Sequence, residues 1–298
     1  MKTEKIEQEL LELLRNNSVD AVIIKGSSLA KRIYSEYRVS SDIDILIREE
    51  DIFPVDKLLC NRGYIPDPIP LRYYIYRFSH TIYYHPETKI PIEIHWNFGI
   101  PYFFKLSSQQ IWSKVSIDDD GLLWLSPEVQ LVMLLIHHHT HCFRELRILL
   151  DILWSLHKFR DIIDWHAFAS RLREYGLLKT TLITLCQISE LWKSQTEELR
   201  PLLILKEEIP KYRKTSGLLL KYFMITPANN FKNNIYRDKI MSRLALDGHM
   251  RAFSSFFKTL FPPPKVIKAL YNIKNSLLIP FYYPVFISWR LKDWIRFF

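Results

Sequence analysis

Asp42 and Asp44 stand in the run Asp42-Ile43-Asp44-Ile45-Leu46-Ile47, where strand alternation puts Ile43, Ile45 and Ile47 on one face and both carboxylates on the other. A third carboxylate, Glu93, alternates in the same way within Ile90-Pro91-Ile92-Glu93-Ile94-His95-Trp96-Asn97, on a face with His95 and Asn97. Two carboxylates at that spacing reach one pair of divalent ions roughly 3.5–4 Å apart, and a neighbouring strand adds a third ligand. Hard oxygen ligands suit Mg2+, with Mn2+ as the alternative. Such a set serves transfer of a phosphoryl or nucleotidyl group, where triphosphate charge must be neutralised and the attacking and leaving oxygens aligned. Without cations, three carboxylates on one face repel.

Phosphates need their own contacts. Gly26-Ser27-Ser28 is a turn ahead of a helical segment, so backbone N–H groups and the positive helix end point where phosphates would lie, and glycine permits close approach. Lys25 before the turn and Arg38 before the aspartate strand supply positive charge for the β and γ phosphates. An alternative stands beside each assignment. Lys25 and Arg38 also read as structural cations paired with Asp42 or Glu93, and Ser27 as an ordinary helix cap. His95 serves either the acceptor side or the sheet.

The elements that carry these residues follow from periodicity. Ile6, Leu10, Leu13 and Leu14 recur at helical spacing. Ala21 to Lys25 is a β-branched strand ended by Gly26, and Ser27 to Tyr34 a helix. Ile52, Val55, Leu58 and Leu59 mark a helix ended near Gly63, and the aromatic run Tyr73 to Tyr84 is rich in strand formers. Pro86-Glu87-Thr88-Lys89 is a hairpin turn leading into the Glu93 strand. From Ser126, a cap followed by Pro127, the period becomes helical. Further helices are expected over 145–159, 165–175 with Asp164 as cap and Gly176 as stop, and 178–193. Pro262-Pro263-Pro264 breaks the chain before a basic aromatic tail, 265–298.

Taken together, Lys25-Gly26-Ser27-Ser28, Arg38-Val39-Ser40-Ser41-Asp42-Ile43-Asp44-Ile45-Leu46-Ile47 and Ile92-Glu93-Ile94-His95-Trp96 resemble the DNA polymerase β-type nucleotidyltransferase superfamily. Within it the sequence is similar to a bacterial family of largely uncharacterised nucleotidyltransferases, which carries a lysine-glycine turn, an arginine before the DxD strand and an Ile-Glu-x-His-Trp strand. The resemblance spans roughly residues 20 to 160 and continues weakly through Leu135-Ile136-His137-His138-His139-Thr140-His141 and Leu146 to Ile152. It implies a small mixed sheet with helices, Asp42 and Asp44 touching both metals, and Glu93 touching the metal that activates the acceptor hydroxyl. It also implies an NTP as donor and pyrophosphate as product. The longer spacing from Gly26-Ser27 to Asp42 sets the chain apart from the smallest antitoxin-like members. Acceptors in the superfamily range over RNA ends, drugs, proteins and small metabolites, so resemblance names no substrate.

The expected fold class is α+β: a nucleotidyltransferase domain over 1–120, then a mostly helical domain over 121–298, with the active site between them. The expected function is metal-dependent transfer of an NMP from an NTP to an acceptor that is a small molecule, a protein or RNA. The alternative is a catalytically inactive nucleotide-binding or scaffold protein of the same fold.

Composition sets the frame. The 298 residues, 48% hydrophobic, describe a folded chain and exclude a disordered one. A formal charge of +9 favours anionic partners without choosing among nucleotide, nucleic acid and lipid headgroup. Cys60, Cys142 and Cys186 suggest neither a disulfide framework nor a zinc motif, and the charged N-terminus is unlike a secretion signal, so a reducing cytoplasm is expected. The longest apolar stretch, 277–289, is broken by Pro280 and Pro284 and short of the roughly 20 residues of a membrane span. In the tail, Lys265, Lys268, Lys274, Arg290, Lys292 and Arg296 alternate with aromatics. Peripheral membrane contact, RNA binding and plain packing are all open readings of that pattern. His137, His138, His139 and His141 read as packing or hydrogen-bonding groups, with metal binding as the alternative, since 137 and 141 share a helix face.

Overall fold

The computed structural model describes residues 2–34, 40–118, 121–192 and 242–295. Five strands, β1 (Ala21–Ile23), β2 (Ile43–Ile47), β3 (Ile65–Pro66), β4 (His80–Tyr84) and β5 (Pro91–His95), form one mixed sheet in the order β1-β2-β5-β4-β3. Only β2 and β5 run parallel; the other pairs are antiparallel. The fold class is therefore α+β, the sheet being followed by a helical region. The chain divides into two compact units, Met1–Phe98 with Leu106–Leu131, and Gly99–Lys105 with Val132–Phe298.

In the first unit, apolar alternation builds the core. Ile43, Ile45 and Ile47 of β2 and Ile92 and Ile94 of β5 meet Ile6, Leu10 and Leu14 of α1 (Lys2–Arg15), and Ile52, Val55 and Leu59 of α3 (Ile52–Asn61). Fully burying each such side chain contributes about 1.5–3 kcal/mol. Every residue of β2 is buried, Asp44 and Leu46 included, so here the alternation sorts apolar from charged rather than inside from outside.

Between α1 and α3 in the chain lies α2 (Ser27–Arg32), whose last residue ties it to the rest of the unit. Arg32 donates from Nη1 to Leu125 O at 2.6 Å and lies over the Trp124 ring at 4.9 Å. Both partners belong to a two-stranded hairpin, β6 (Val115–Ile117) and β7 (Leu123–Leu125), which periodicity did not foretell because three-residue strands are too short to show a period. Gln130 donates from Nε2 to Ile24 O at 3.2 Å in a buried position, fixing the chain just ahead of the Gly26 turn.

One expected strand is wrong at its start. Tyr73 to Arg77 belongs to α4 (Leu71–Arg77), and only His80 to Tyr84 is strand. The amides of Tyr73 and Tyr74 both reach Pro70 O, and the two rings are buried, so packing overrides the weak strand preference of aromatic residues. The expected hairpin forms, with His85 N donating to Ile90 O at 3.0 Å and Lys89 N donating to His85 O at 3.0 Å.

The second unit contains α7 (Leu146–Lys158), α8 (Trp165–Tyr175) and α9 (Leu178–Leu191) together with most of α6 (Pro127–Thr140). Asp164 caps α8 by accepting from His166 N and Ala167 N, and Gly176 at φ 72° stops it. Helices at His249–Leu260, Pro264–Leu270 and Ile279–Ile295 follow. Among the described residues no helix is long and apolar enough to cross a membrane. In the tail, residues 296–298 and the side chains of 289–295 lie outside the described residues.

Candidate functional site

The parallel pairing of β2 with β5 sets Asp44 opposite Glu93 and Leu46 opposite His95. The antiparallel pairing of β4 with β5 sets Ile82 opposite Glu93 and His80 opposite His95. Directly paired residues share a face, so Asp44, Glu93, His95 and His80 gather on the side of the sheet away from the isoleucine core. Asp42 stands in a bend just before β2, half-buried, accepting at Oδ1 from Ser40 Oγ at 2.7 Å.

Cations meet these carboxylates at close range. Lys25 Nζ is 2.5 Å from Asp44 Oδ1, and His95 Nε2 is 3.0 Å from the same oxygen and 3.2 Å from Glu93 Oε2. Among the described residues no hydrogen bond reaches Asp44 Oδ2. Burial alone would push Lys25 down, but attraction to Asp44 and Glu93, a hydrogen bond to Asp44 and attraction to Asp42 outweigh it, so its pKa is raised and the ammonium form is favoured. His95 follows the same pattern: burial opposes its charge, hydrogen bonds to Asp44 and Glu93 favour it, and its pKa rises. Burial pushes Glu93 up, yet the hydrogen bond and charge of His95, with Lys25 and His80 behind, hold it well below the usual carboxylate range. His80 is pushed down to about 4 by burial and then by neighbouring His95.

Gly26 has φ 59°, a left-handed conformation. A Cβ added there would lie 3.3 Å from Ser40 Cβ and 3.4 Å from Glu7 Oε1, so the turn is narrow as well as left-handed. Ser27 Oγ donates to Glu7 Oε2 across 20 residues of sequence. Glu7 is buried and its pKa raised, burial outweighing the opposing hydrogen bond from Ser27. A cavity of about 800 Å³ beside this turn is lined by α1, α2 and the β6–β7 hairpin, Glu7, Ser27, Ser28, Lys31 and Trp124 among them. It does not include Asp44, Glu93 or His95.

The family described as "Uncharacterised nucleotidyltransferase" matches residues 3–193. The chain belongs to this family. A search of curated proteins found no match. The stretch that this nucleotidyltransferase family covers contains α1 from Thr3 onward, the whole five-stranded sheet and α6 to α9.

Within the candidate site, Asp44, Glu93 and Lys25 of the sequence-derived set come together, with Asp42 at the strand entry and Gly26 and Ser27 at the turn. Lys25 pairs with Asp44 rather than with Asp42 or Glu93. Arg38 lies outside the described residues. Two residues were not foreseen: Glu7, on a helix legible only as amphipathic, and His80, inside an aromatic run.

The histidines at and just after the end of α6 have contacts within the second unit. His138 Nε2 lies 2.9 Å from Gln187 Oε1 and His139 Nδ1 lies 3.1 Å from Thr180 Oγ1, both pairs buried against α9. His141 Nδ1 meets Glu145 Oε1 at 2.6 Å, and its ring lies 4.4 Å from that of His137.

Proposed function

We propose that this chain is a metal-dependent nucleotidyltransferase of the polymerase β type, moving a nucleoside monophosphate from an NTP to an acceptor hydroxyl with release of pyrophosphate. The observation that supports this most directly is the register of β2 on β5, which sets Asp44 beside Glu93 with Asp42 at the entry to the same strand. The donor set suits a divalent ion: all three carboxylates are near enough to attract Lys25, and hard oxygen ligands are what Mg2+ and Mn2+ take. Asp42, Asp44 and Glu93 would hold the ion, which when bound neutralises phosphate charge and acidifies the acceptor hydroxyl.

The chain's own groups prepare that site. Lys25 and His95 both approach Asp44 at Oδ1, which leaves Oδ2 for a metal. His95 spans Asp44 and Glu93 and so fixes the orientation of one carboxylate to the other. Gly26 lets a phosphate come close to the backbone, and Lys25 adds positive charge where negative charge accumulates.

A second reading, a binding module without transfer, is favoured by one pair of contacts: Lys25 lies on Asp44 and Glu7 on Ser27, so metal and phosphate positions both carry groups of the chain. Label placement decides between them. Purified protein is incubated with cell extract, Mg2+ or Mn2+, and each NTP labelled at the α or the γ phosphorus. Nucleotidyl transfer puts α label on an acceptor and γ label into pyrophosphate. Label on the acceptor from the γ position would overturn the proposal, and nucleotide binding that needs no metal and leads to no transfer supports the second reading.

A further inference from the structure

β4 and β5 place His80 directly opposite His95, with ring centroids 4.9 Å apart and planes 32° apart. Glu93, two positions before His95, faces the same way. Each of the three offers a ligand atom, and these atoms lie within 4.8 Å of one another, the one such group of three or more among the described residues. Ligands at roughly 2.0–2.2 Å from a shared ion lie within roughly 4.4 Å of each other, so a small side-chain adjustment closes the set.

His80 is well prepared for this. It is half-buried beside Phe78 and Tyr74, which limit its ring orientation, and its ring nitrogens make no hydrogen bond among the described residues. His95 Nε2 lies 3.0 Å from Asp44 Oδ1 and 3.2 Å from Glu93 Oε2, so both carboxylates converge on one ring nitrogen and fix the orientation of the imidazole.

We infer that His80, Glu93 and His95 form a metal position that takes a first-row transition ion such as Co2+ or Zn2+ in preference to Mg2+. Two imidazoles and one carboxylate are the donors of catalytic zinc and non-haem iron sites, whereas Mg2+ prefers oxygen and keeps its waters. Coordination by His95 displaces the hydrogen its ring nitrogen shares with the carboxylates, which leaves as a proton to solvent. Glu93 belongs to both donor sets, so the inference rests on the proposed function for what the ion would serve, but not for whether it binds.

The test uses the full chain, stripped of metal, and reads binding without turnover. Co2+ is titrated while visible ligand-field absorption is followed, with Zn2+ and Mg2+ as competitors. The expected result is a saturable Co2+ signal at one equivalent, displaced by Zn2+ and retained in a large excess of Mg2+. His80→Ala and the better size match His80→Asn should each weaken Co2+ binding about tenfold or more, with an unchanged circular dichroism spectrum. Asp42→Asn should leave Co2+ affinity within about twofold, since Asp42 is outside this donor set, while removing NTP-dependent transfer. Unaltered Co2+ affinity in both His80 variants, or displacement by Mg2+ at comparable concentration, would overturn the inference. Loss of Co2+ binding in the His80 variants of a protein that transfers no nucleotide upholds the metal position and counts against the transferase alone.

Discussion

Lys25 Nζ and Asp44 Oδ1 are 2.5 Å apart, and both side chains are buried. The lysine ahead of the glycine turn and the second aspartate of β2 are thus one buried ion pair, and removing either charge strands the other. Breaking such a pair from one side costs about 3–5 kcal/mol. Lys25→Met should therefore lower stability by roughly 3 kcal/mol, measured by urea unfolding, and Asp44→Asn by less, because an amide oxygen still accepts from the lysine. The double variant should lose at least about 1 kcal/mol less than the two single losses combined. Strictly additive losses would show that the pair is not coupled.

Glu7 bears on nucleotide affinity. Its carboxylate takes the Ser27 hydroxyl and stands 3.4 Å from where a Gly26 Cβ would be, at the turn where a phosphate is proposed to lie. A buried negative charge there opposes a triphosphate. Glu7→Gln keeps the shape and an acceptor for Ser27 while removing the charge, and should tighten NTP binding about fivefold, roughly 1 kcal/mol, by calorimetry with Mg2+ present. Weaker binding in the variant would mean that Glu7 supports the turn rather than opposing the phosphate.

Much of this was legible in the sequence because its signals are local. Alternation around Asp44 and Glu93 sorted their faces, and Asp164 and Gly176 bounded α8 at the residues observed. The Pro86 to Lys89 turn held more than it first yielded. Counting outward from it pairs Tyr84 with Pro91 and, four steps further, His80 with His95. What sequence could not supply is long-range. Nothing local tells that β2 lies parallel to β5, or that Glu7 reaches Ser27 from a helix 20 residues earlier. Tyr73 and Tyr74 misled for the opposite reason, since their intrinsic strand preference is weaker than the burial that holds them in α4.

Acid should loosen the helical unit through His138 and His139. Burial holds them at about 4 and about 3, against an ordinary value of 6.5. Well above pH 6.5 neither folded nor unfolded chain protonates them appreciably. As pH falls below 6.5 the unfolded chain takes up protons that the folded one refuses, so stability declines until the folded pKa is reached. Each ring costs about 2 kcal/mol by pH 5. His95, held above its ordinary value, contributes with the opposite sign, so the useful comparison is between variants. The fall in urea midpoint from pH 7.5 to pH 5 should be smaller in His138→Gln than in the parent; an identical fall would contradict the assignment.

Asp42 offers the cleanest handle on the proposed chemistry, because its hydrogen bond is to a half-buried neutral hydroxyl, Ser40 Oγ at 2.7 Å, whereas Asp44 carries the buried Lys25. Asp42→Asn should therefore preserve the fold while removing a metal ligand. The decisive measurement is pyrophosphate release from the four NTPs with Mg2+ or Mn2+ and an extract as acceptor pool, for parent and Asp42→Asn side by side. Metal-dependent release by the parent, reduced by about two orders of magnitude or more in the variant, is the expected result. Release undiminished in Asp42→Asn, at matched folded protein, would contradict metal-dependent transfer at this site.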